Sequence, residues 1–389
     1  MPLGWHAQTS FKGMKMKLTN VLILITVCFM EFVLTSCSTS ATAWKEKKIE
    51  AQMERIGEVP EKDRRQNIQC LSEQEYLIAT TEHIWRTLNG GKTWRLIYPM
   101  NTSENEIKIE IQDFQFINSL VGWVVTSGGI FKTEDGGKTW VRCLIPLLDY
   151  PQGLALKIRF FTNLKQGWVV GGIYRHVSDK ELERGFPNNA VSFDGKSVLH
   201  AAVFHTTDGG RNWEQQTFPL SIGRIYDINF VDDENGWVIG DVGIFQTKNA
   251  GKEWKYVDLE KRGSQEKYLK TTEGDSADPI YLVFSGLHFG WLSYTNGYVA
   301  KTTDGGKTWT DLLRPDSVWQ SPAYDTFFQK LYFINSSQGW GLGADGSIYE
   351  TKDSGNAWIK KNTNIKAEDL GFGSNQVFAV SREGLFRLN

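Results

Sequence analysis

The stretch that decides the fold is TTDGGKTW at residues 302–309, because versions of it occur six times along the chain. Each copy reads Thr, any residue, Asp or Asn, a small residue, Gly, two variable residues and Trp. The Asp or Asn residues are Asn89, Asp135, Asp208, Asn249, Asp304 and Asp353. The closing tryptophans are Trp94, Trp140, Trp213, Trp254, Trp309 and Trp358. Such self-similarity indicates one supersecondary unit that is stacked many times.

Each residue type in the copy suits a tight hairpin turn. An Asp or Asn side chain accepts hydrogen bonds from nearby backbone N–H groups, Gly supplies a positive φ, and Thr favours the entering strand. The Trp opens the next strand with a large area to bury. A calcium loop would need more carboxylates, and a phosphate loop would need a following helix, whereas KTWVRCL at residues 138–144 is typical of a strand. We therefore interpret these turn residues as structural.

A second repeat, Gly-Trp, precedes five of the turns, and a Phe lies six residues before each of its glycines. These aromatic residues are Phe116, Phe161, Phe230, Phe284 and Phe333. The unit then has four antiparallel strands and cannot bury both of its faces alone. Units of this kind stack face to face and close into a β-propeller. The tryptophans are expected to pack between the blades.

The sequence predicts an all-β fold, a seven-bladed β-propeller of four-stranded antiparallel blades. Six blades carry the turn, and a seventh is truncated, because GLFRLN at residues 384–389 stops where its turn would begin. The segment MERIGEVP at residues 53–60 resembles the strands that follow other turns, so we expect it to close the ring against residues 384–388. Six blades with a spare hairpin are the alternative.

Composition excludes several classes of function. A net charge of −2 gives no general attraction to nucleic acid or to an anionic membrane. Six His residues, no Cys-x-x-Cys motif and no phosphate loop predict neither a metal nor another cofactor. Cys70 and Cys143 fall on an inner and an outer strand, roughly 14 Å apart, which is too far for a disulfide.

The N-terminus predicts export. Lysines precede the short apolar run VLILITVCFM at residues 21–30, and LTSC at residues 34–37 follows it. This is the pattern of a secretory signal rather than of a membrane span, which needs about twenty apolar residues. We expect a lipoprotein-type signal at residues 1–36, beginning at Met1, Met14 or Met16, with lipidation at Cys37. Residues 37–67 are then a polar tether with the closing strand, and residues 68–389 form the propeller. An ordinary signal peptide with an incidental Cys is the alternative.

The turn copies are similar to the Asp-box, or BNR, repeat, and their alternation with Gly-Trp strands resembles the photosystem II assembly and stability factor family. The resemblance covers residues 68–389. It implies a non-enzymatic, extracytoplasmic and lipid-anchored propeller that binds a protein partner, such as a membrane-protein subunit. The location would be the lumenal side of the thylakoid in a cyanobacterium, and the periplasm or cell surface otherwise.

A carbohydrate-active enzyme or a glycan-binding propeller is the alternative function, since Asp boxes also occur in sialidases and glucanases. Hydrolysis of glycosides needs two carboxylates across a cleft. Asp113, Asp227 and Asp369 share one position in the repeat, but the sequence does not pair them. The simpler interpretation is that they are polar caps near the central channel.

The partner-binding surface is expected where the long insertions lie. These occupy residues 176–198, 258–279 and 314–325, all in connections that leave the face opposite the Asp-box turns. Long loops on a rigid scaffold commonly bind ligands. The candidate contact residues are Lys157, Arg159, Arg224, Trp319 and Tyr324. Tolerated surface insertions are the alternative.

Overall fold

The computed structural model describes residues 49–50, 53–60, 67–98, 110–145, 153–161, 163–176, 197–218, 225–240, 243–257, 279–294, 299–313, 328–373 and 376–388. All of them lie in one unit, Trp44–Asn389. They form 29 strands. Within these ranges no helix is long and apolar enough to cross a membrane. The expected signal peptide and Cys37 lie outside the described residues.

Two strands precede the blades, and the first three blades follow in chain order. The preceding strands are β1 (Ile49–Glu50) and β2 (Met53–Gly57). Blade 1 contains β3 (Asn67–Cys70), β4 (Tyr76–Ala79), β5 (Ile84–Thr87) and β6 (Arg95–Tyr98). Blade 2 contains β7 (Ile111–Phe116), β8 (Gly122–Thr126), β9 (Gly129–Thr133) and β10 (Val141–Cys143). Blade 3 contains β11 (Gly153–Phe160), β12 (Gly167–His176), β13 (Ser197–Thr206) and β14 (Glu214–Gln216).

The remaining four blades complete the ring. Blade 4 contains β15 (Ile225–Phe230), β16 (Gly236–Gly240), β17 (Gly243–Thr247) and β18 (Lys255–Val257). Blade 5 contains β19 (Pro279–Ser285), β20 (Phe289–Tyr294), β21 (Val299–Thr302) and β22 (Thr310–Leu313). Blade 6 contains β23 (Phe328–Phe333), β24 (Gly339–Gly343), β25 (Ile348–Thr351) and β26 (Ile359–Asn362). Blade 7 contains β27 (Asp369–Gly373), β28 (Gln376–Ser381) and β29 (Gly384–Leu388), with β2 as its fourth strand.

The predicted closure of the ring is confirmed. Strand β2 pairs antiparallel with β29, with Met53 opposite Leu388 and Arg55 opposite Phe386. The residues after β2 also reach blade 1, since the indole N–H of Trp94 donates a 2.8 Å hydrogen bond to the carbonyl of Glu58. The alternative of six blades with a spare hairpin is therefore wrong.

One strand was not expected from the sequence. Strand β1 pairs in parallel with β26, so the outer edge of blade 6 carries a fifth strand. The segment before β2 thus contributes to the sheet in the region that the sequence assigned to a polar tether. A two-residue strand has no alternating pattern that a sequence could reveal.

The Gly-Trp repeat holds neighbouring blades together. In blade 5 the ring of Phe284 lies against Gly290, where an added Cβ would come within 2.6 Å of the ring. The other face of the ring stacks on Trp237 of blade 4, with centroids 3.6 Å apart. The same stacking occurs at three further boundaries, between Trp123 and Phe160, Trp168 and Phe230, and Trp291 and Phe333. The structure therefore shows that these tryptophans pack between neighbouring blades.

One aromatic assignment from the sequence was wrong. In blade 3 the ring that stacks on Trp123 belongs to Phe160, not to Phe161, and Phe160 pairs with Gly167. The connection between β11 and β12 is one residue longer than its counterpart in blade 2, where Phe116 pairs with Gly122. Counting six residues back from Gly167 therefore stopped one residue short of the stacking ring in this blade.

Candidate functional site

The Asp-box turns share one set of hydrogen bonds. In blade 2 the hydroxyl of Thr133 donates to Asp135 Oδ1 at 2.9 Å and accepts from the backbone N–H of Gly137 at 2.8 Å. The same oxygen of Asp135 accepts from the backbone N–H groups of Lys138 and Thr139, both at 2.9 Å. The carboxylate is thus occupied by its own turn, as a structural role requires.

These bonds also change the acidity of the turn. The hydroxyl and backbone N–H of Thr139 lower the pKa of Asp135 to about 2. Burial raises the pKa of Asp208, but hydrogen bonds from Asn212 outweigh it and bring the pKa to about 2. Both groups are therefore carboxylates under ordinary conditions, in the form that accepts hydrogen bonds.

The six Asp-box tryptophans lie against the core rather than in a ligand cage. Four of them are buried: Trp213, Trp254, Trp309 and Trp358. Several indoles also make local hydrogen bonds, such as that of Trp309 to the carbonyl of Gly306 at 3.0 Å. The remaining two, Trp94 and Trp140, are half-buried.

A ring of polar residues lines the central channel, with one residue from the first strand of each blade. Each pairs with the equivalent residue of its second strand, and the set is Asn67, Asp113, Lys157, Asp227, Tyr281, Lys330 and Asp369. In blades 2 to 6 a β-bulge immediately precedes the ring residue. Bulges of this kind re-aim side chains. We call this set the channel ring.

One half of the channel ring is organised by Arg159, which follows Lys157 by two residues. Its Nη1 donates to Asp113 Oδ2 of blade 2 at 2.7 Å, and its Nη2 lies 3.8 Å from Asp227 Oδ1 of blade 4. Asp113 Oδ2 also accepts from the backbone N–H of Ile158 at 3.0 Å. A single guanidinium therefore links three successive blades.

The two carboxylates beside Arg159 differ in acidity. Burial would raise the pKa of Asp113, but the charges of Arg159 and Lys157 and the Ile158 hydrogen bond hold it below its ordinary value. Burial raises the pKa of Asp227, and the same two cations offset only part of that effect. The difference is consistent with their contacts, because Asp227 Oδ1 is buried and accepts no hydrogen bond from the described residues.

The other half of the channel ring is organised by Lys330. Its ammonium donates to Asp369 Oδ1 of blade 7 at 2.9 Å and to Asn67 Oδ1 of blade 1 at 3.0 Å. Asp369 also accepts from the hydroxyl of Tyr332 and, through Oδ2, from the backbone N–H of Ile68. This cation again connects three blades, so contacts within the channel ring hold neighbouring blades together around the channel.

The chemistry open to this arrangement is limited. Two of its three carboxylates, Asp113 and Asp369, are each held by a cation and a backbone N–H group, so their oxygens are already engaged within the protein. Among the described residues, no group of three His, Cys, Asp or Glu side chains is placed to hold a metal ion. Neither Cys70 nor Cys143 forms a disulfide with another described residue.

The structure brings together only part of the predicted contact set. Lys157 and Arg159 lie on the same inner strand in the channel wall, beside Asp113 and Asp227. Arg224, Trp319 and Tyr324 lie outside the described residues. The sequence missed Asn67, Tyr281 and Lys330 as members of the channel ring, although the shared position that marked the three aspartates could have found them.

The two ends of the propeller differ. The Asp-box turns join third to fourth strands, and the turns from first to second strand lie at the same end because the strands are antiparallel. The opposite end carries the second-to-third connections and those between blades. There β12 and β13 pair as far as His176 and Ser197, whereas β8 and β9 end at Thr126 and Gly129. The blade 3 hairpin therefore extends past its counterpart by five residues on each strand, about 16 Å.

Comparisons with known proteins agree with this architecture. A family model described as Photosynthesis system II assembly factor YCF48 matches residues 196–278. The photosystem II assembly lipoprotein Ycf48 of Synechococcus sp. (strain CC9902) is 29% identical over 111 residues, which are 28% of this chain and 29% of that protein. The matched segment thus spans less than a third of the length of that relative.

Solved structures show the same fold over most of the chain. YCF48 bound to D1 peptide covers 88% of this chain and 98% of its own, with a TM-score of 0.59 and 17% identity. YCF48 from Cyanidioschyzon merolae covers 87% and 99%, with a TM-score of 0.56 and 15% identity. An ancestral GH74 enzyme covers 86% and 46%, with a TM-score of 0.55 and 13% identity. The chain is a seven-bladed β-propeller similar to the photosystem II assembly factor Ycf48.

Proposed function

We propose that this protein is a non-enzymatic assembly or stability factor that binds a protein subunit, in the manner of Ycf48 in photosystem II. The observation that carries the proposal is the sequence similarity to Ycf48, found both by the family model over residues 196–278 and by the curated relative. The fold alone would not support it, because the same propeller also occurs in a GH74 enzyme.

The partner is proposed to bind at the end of the propeller that carries the long connections. The extended blade 3 hairpin projects there, and the connections that follow β12, β18 and β22 leave from the same end. The proposed contacts are Lys157, Arg159, Arg224, Trp319 and Tyr324. Because Arg159 is engaged with Asp113, it would contribute mainly by fixing the channel wall.

The geometry gives less support to a carbohydrate-active or glycan-binding propeller. A glycosidase needs one carboxyl group with a raised pKa and a second, reactive carboxylate facing the sugar. Asp227 has a raised pKa, but its neighbour Asp113 is held by Arg159 and the backbone. Asp369 is held in the same way by Lys330 and Ile68.

Binding can be tested with a fluorescently labelled D1 peptide, since D1 is the partner in the related YCF48 complex. We expect saturable binding in fluorescence polarisation. Replacing residues 177–196, 258–278 and 314–327 by short Gly-Ser linkers should weaken it at least tenfold while the far-ultraviolet circular dichroism stays unchanged. Lys307→Glu, on the opposite end, is the control. Full retention of binding after all three replacements would sink the proposal.

The anchor is a separate part of the proposal. Cys37 is the proposed lipidation site, which would place the propeller on the extracytoplasmic side of a membrane. In cells fed an alkyne fatty acid, the protein should take up the label and fractionate with membranes. Cys37→Ser should lose both properties, with Cys143→Ser as the control. Unchanged membrane retention of the Cys37→Ser protein would contradict lipid anchoring at Cys37 but would leave the peptide-binding proposal unaffected.

A further inference from the structure

The end of the propeller that carries the Asp-box turns can be compared blade by blade, because each turn places an equivalent residue there. The second residue of each turn is exposed. In five turns it is polar or charged, namely Glu134, Thr207, Lys248, Thr303 and Lys352. In blade 1 it is Leu88, whose exposed fraction is 65%. Nothing in the turn chemistry requires this leucine, because its side chain takes no part in the shared hydrogen bonds.

A second position at the same end of the propeller also departs from its repeat pattern, and again beside blade 1. It lies in the connection between the first and second strands, and its carbonyl accepts a hydrogen bond from the backbone N–H of an Asp-box residue. In blade 2 the carbonyl of Leu120 accepts from Gly136 at 2.8 Å. The equivalent residues elsewhere are all polar or charged: Gln74, Lys165, Glu234, His288 and Ser337. Leu120 nevertheless has an exposed fraction of 58%. Both exceptions therefore fall at the boundary between blades 1 and 2.

The two leucines line one pocket. It has a volume of about 360 Å³, and its wall includes Trp94, Arg95 and Lys138 besides Leu88 and Leu120. A concave site of this size holds a side chain or short segment rather than a flat surface. Solvated leucines carry no benefit to the free propeller, so their coincidence at one pocket points to a ligand with an apolar part.

The charges around the pocket define the polar part of that ligand. Arg86 lies at its base, but it is paired with the buried carboxylate of Glu75 and donates to the carbonyl of Gly136. Asp135 faces the pocket, yet its oxygens are bonded within its own turn. The exposed cations at the rim are Lys138 and Arg95, and Arg95 also donates a 3.4 Å hydrogen bond to the carbonyl of Gly136. The rim is thus complementary to a carboxylate.

We propose that this pocket, between blades 1 and 2, docks an extended segment of a protein partner that presents a leucine-sized side chain next to an acidic residue. The site lies at the opposite end from the long connections, so it is independent of the surface proposed above. A propeller with binding sites at both ends can hold two segments at once, either of one partner or of two.

Variants that restore the repeat pattern give a clean test. Leu88→Thr copies Thr207 and Thr303, and Leu120→Ser copies Ser337, so the double variant should fold as the parent does. A phage-displayed library of random peptides is selected on the parent protein, with counter-selection on the double variant. We expect peptides that combine a leucine, isoleucine or methionine with an adjacent aspartate or glutamate. Failure to enrich any peptide that distinguishes the two proteins overturns the proposal.

A selected peptide is then measured by fluorescence polarisation. Its Kd should rise at least tenfold in the double variant and in Lys138→Glu, and it should stay unchanged in two matched controls. The controls are Leu287→Ser, an exposed leucine of blade 5, and Lys307→Glu, the equivalent of Lys138 in that blade. Equal loss in the controls would show that no specific pocket is involved. If the parent instead binds vesicles of phosphatidylcholine and phosphatidylglycerol in a Leu88- and Leu120-dependent way and no peptide is selected, the pocket is a lipid contact and the proposal is wrong.

Discussion

Replacing Gly290 by Ala should destabilise the protein, although the same change in a strand ordinarily stabilises by about 0.5–1 kcal/mol. The new Cβ would lie 2.6 Å from the ring of Phe284, whereas ordinary contacts begin at 3.4 Å. The ring would have to retreat by roughly 0.8 Å, the difference between those two distances. Trp237 blocks that retreat, because it stacks on the opposite face with centroids 3.6 Å apart. Overpacking of this kind costs about 1–3 kcal/mol.

A double-mutant cycle isolates the clash. Phe284→Ala alone removes a buried ring and should cost about 3–5 kcal/mol. Once the ring is gone, the methyl group introduced by Gly290→Ala has room, so the double variant should be no less stable than Phe284→Ala. The coupling free energy is then about 1–3 kcal/mol in the favourable sense. It is measured by guanidinium unfolding, followed by tryptophan fluorescence.

The outcome that refutes this reasoning is additivity. If the cost of Gly290→Ala is the same with and without Phe284, the ring and the glycine do not share one space. A stabilising Gly290→Ala would refute it as well. The pair Gly236 and Phe230, with Trp168 on the far side, offers an independent repeat of the cycle in blade 4.

Three further predictions concern closure, acidity and the turns. Deleting residues 53–60 leaves the outer edge of β29 unpaired and should lower the Tm by several degrees in a circular dichroism melt, so an unchanged Tm would argue against closure by β2. The pKa of Asp208 is about 2 and therefore below its ordinary value of 3.8, so its contribution to stability is complete above about pH 4 and is lost as the pH falls toward 2. Asp208→Asn keeps an oxygen acceptor, as Asn249 does, and should make the Tm fall less steeply over that range, whereas an identical slope would count against the assignment. Asp304→Ala removes the acceptor for the Thr308 N–H and should lower the Tm without changing the D1-peptide Kd of the folded protein, and a changed Kd would assign this turn to the binding site.

The number of blades could be predicted from the sequence because each blade is marked by a short local sequence pattern. Turn residues, alternation and a Gly-Trp strand lie within a few dozen residues of one another, and the truncated last unit implies a donated strand. The closing segment at residues 53–60 was identifiable since it resembles the outer strands of other blades. Such features depend on short-range patterns, which a sequence displays directly.

The channel ring could be predicted only in part, because register depends on loop length. A single extra residue before Gly167 moved Phe160 and Lys157 out of the counted positions, so Lys157 was not recognised as the counterpart of Asp113. The equivalent position of the channel ring holds a carboxylate, an ammonium, a phenol or an amide, depending on the blade. A search for one repeated residue type therefore does not identify this position. The same holds for Leu88 and Leu120, whose importance depends on exposure.

The pairing of β2 with β29 makes completion of the fold a test of chain integrity. Its partners are 333 residues apart in sequence, as the ion pair between Glu54 and Arg387 shows. During synthesis blades 1 to 6 can form in order as an open arc, but residues 53–57 have no partner until residues 384–388 have left the ribosome. A nascent chain that stops short of those residues keeps an unsatisfied strand at each end. Quality-control proteases and chaperones that recognise such strands could therefore separate finished propellers from interrupted ones by this single junction.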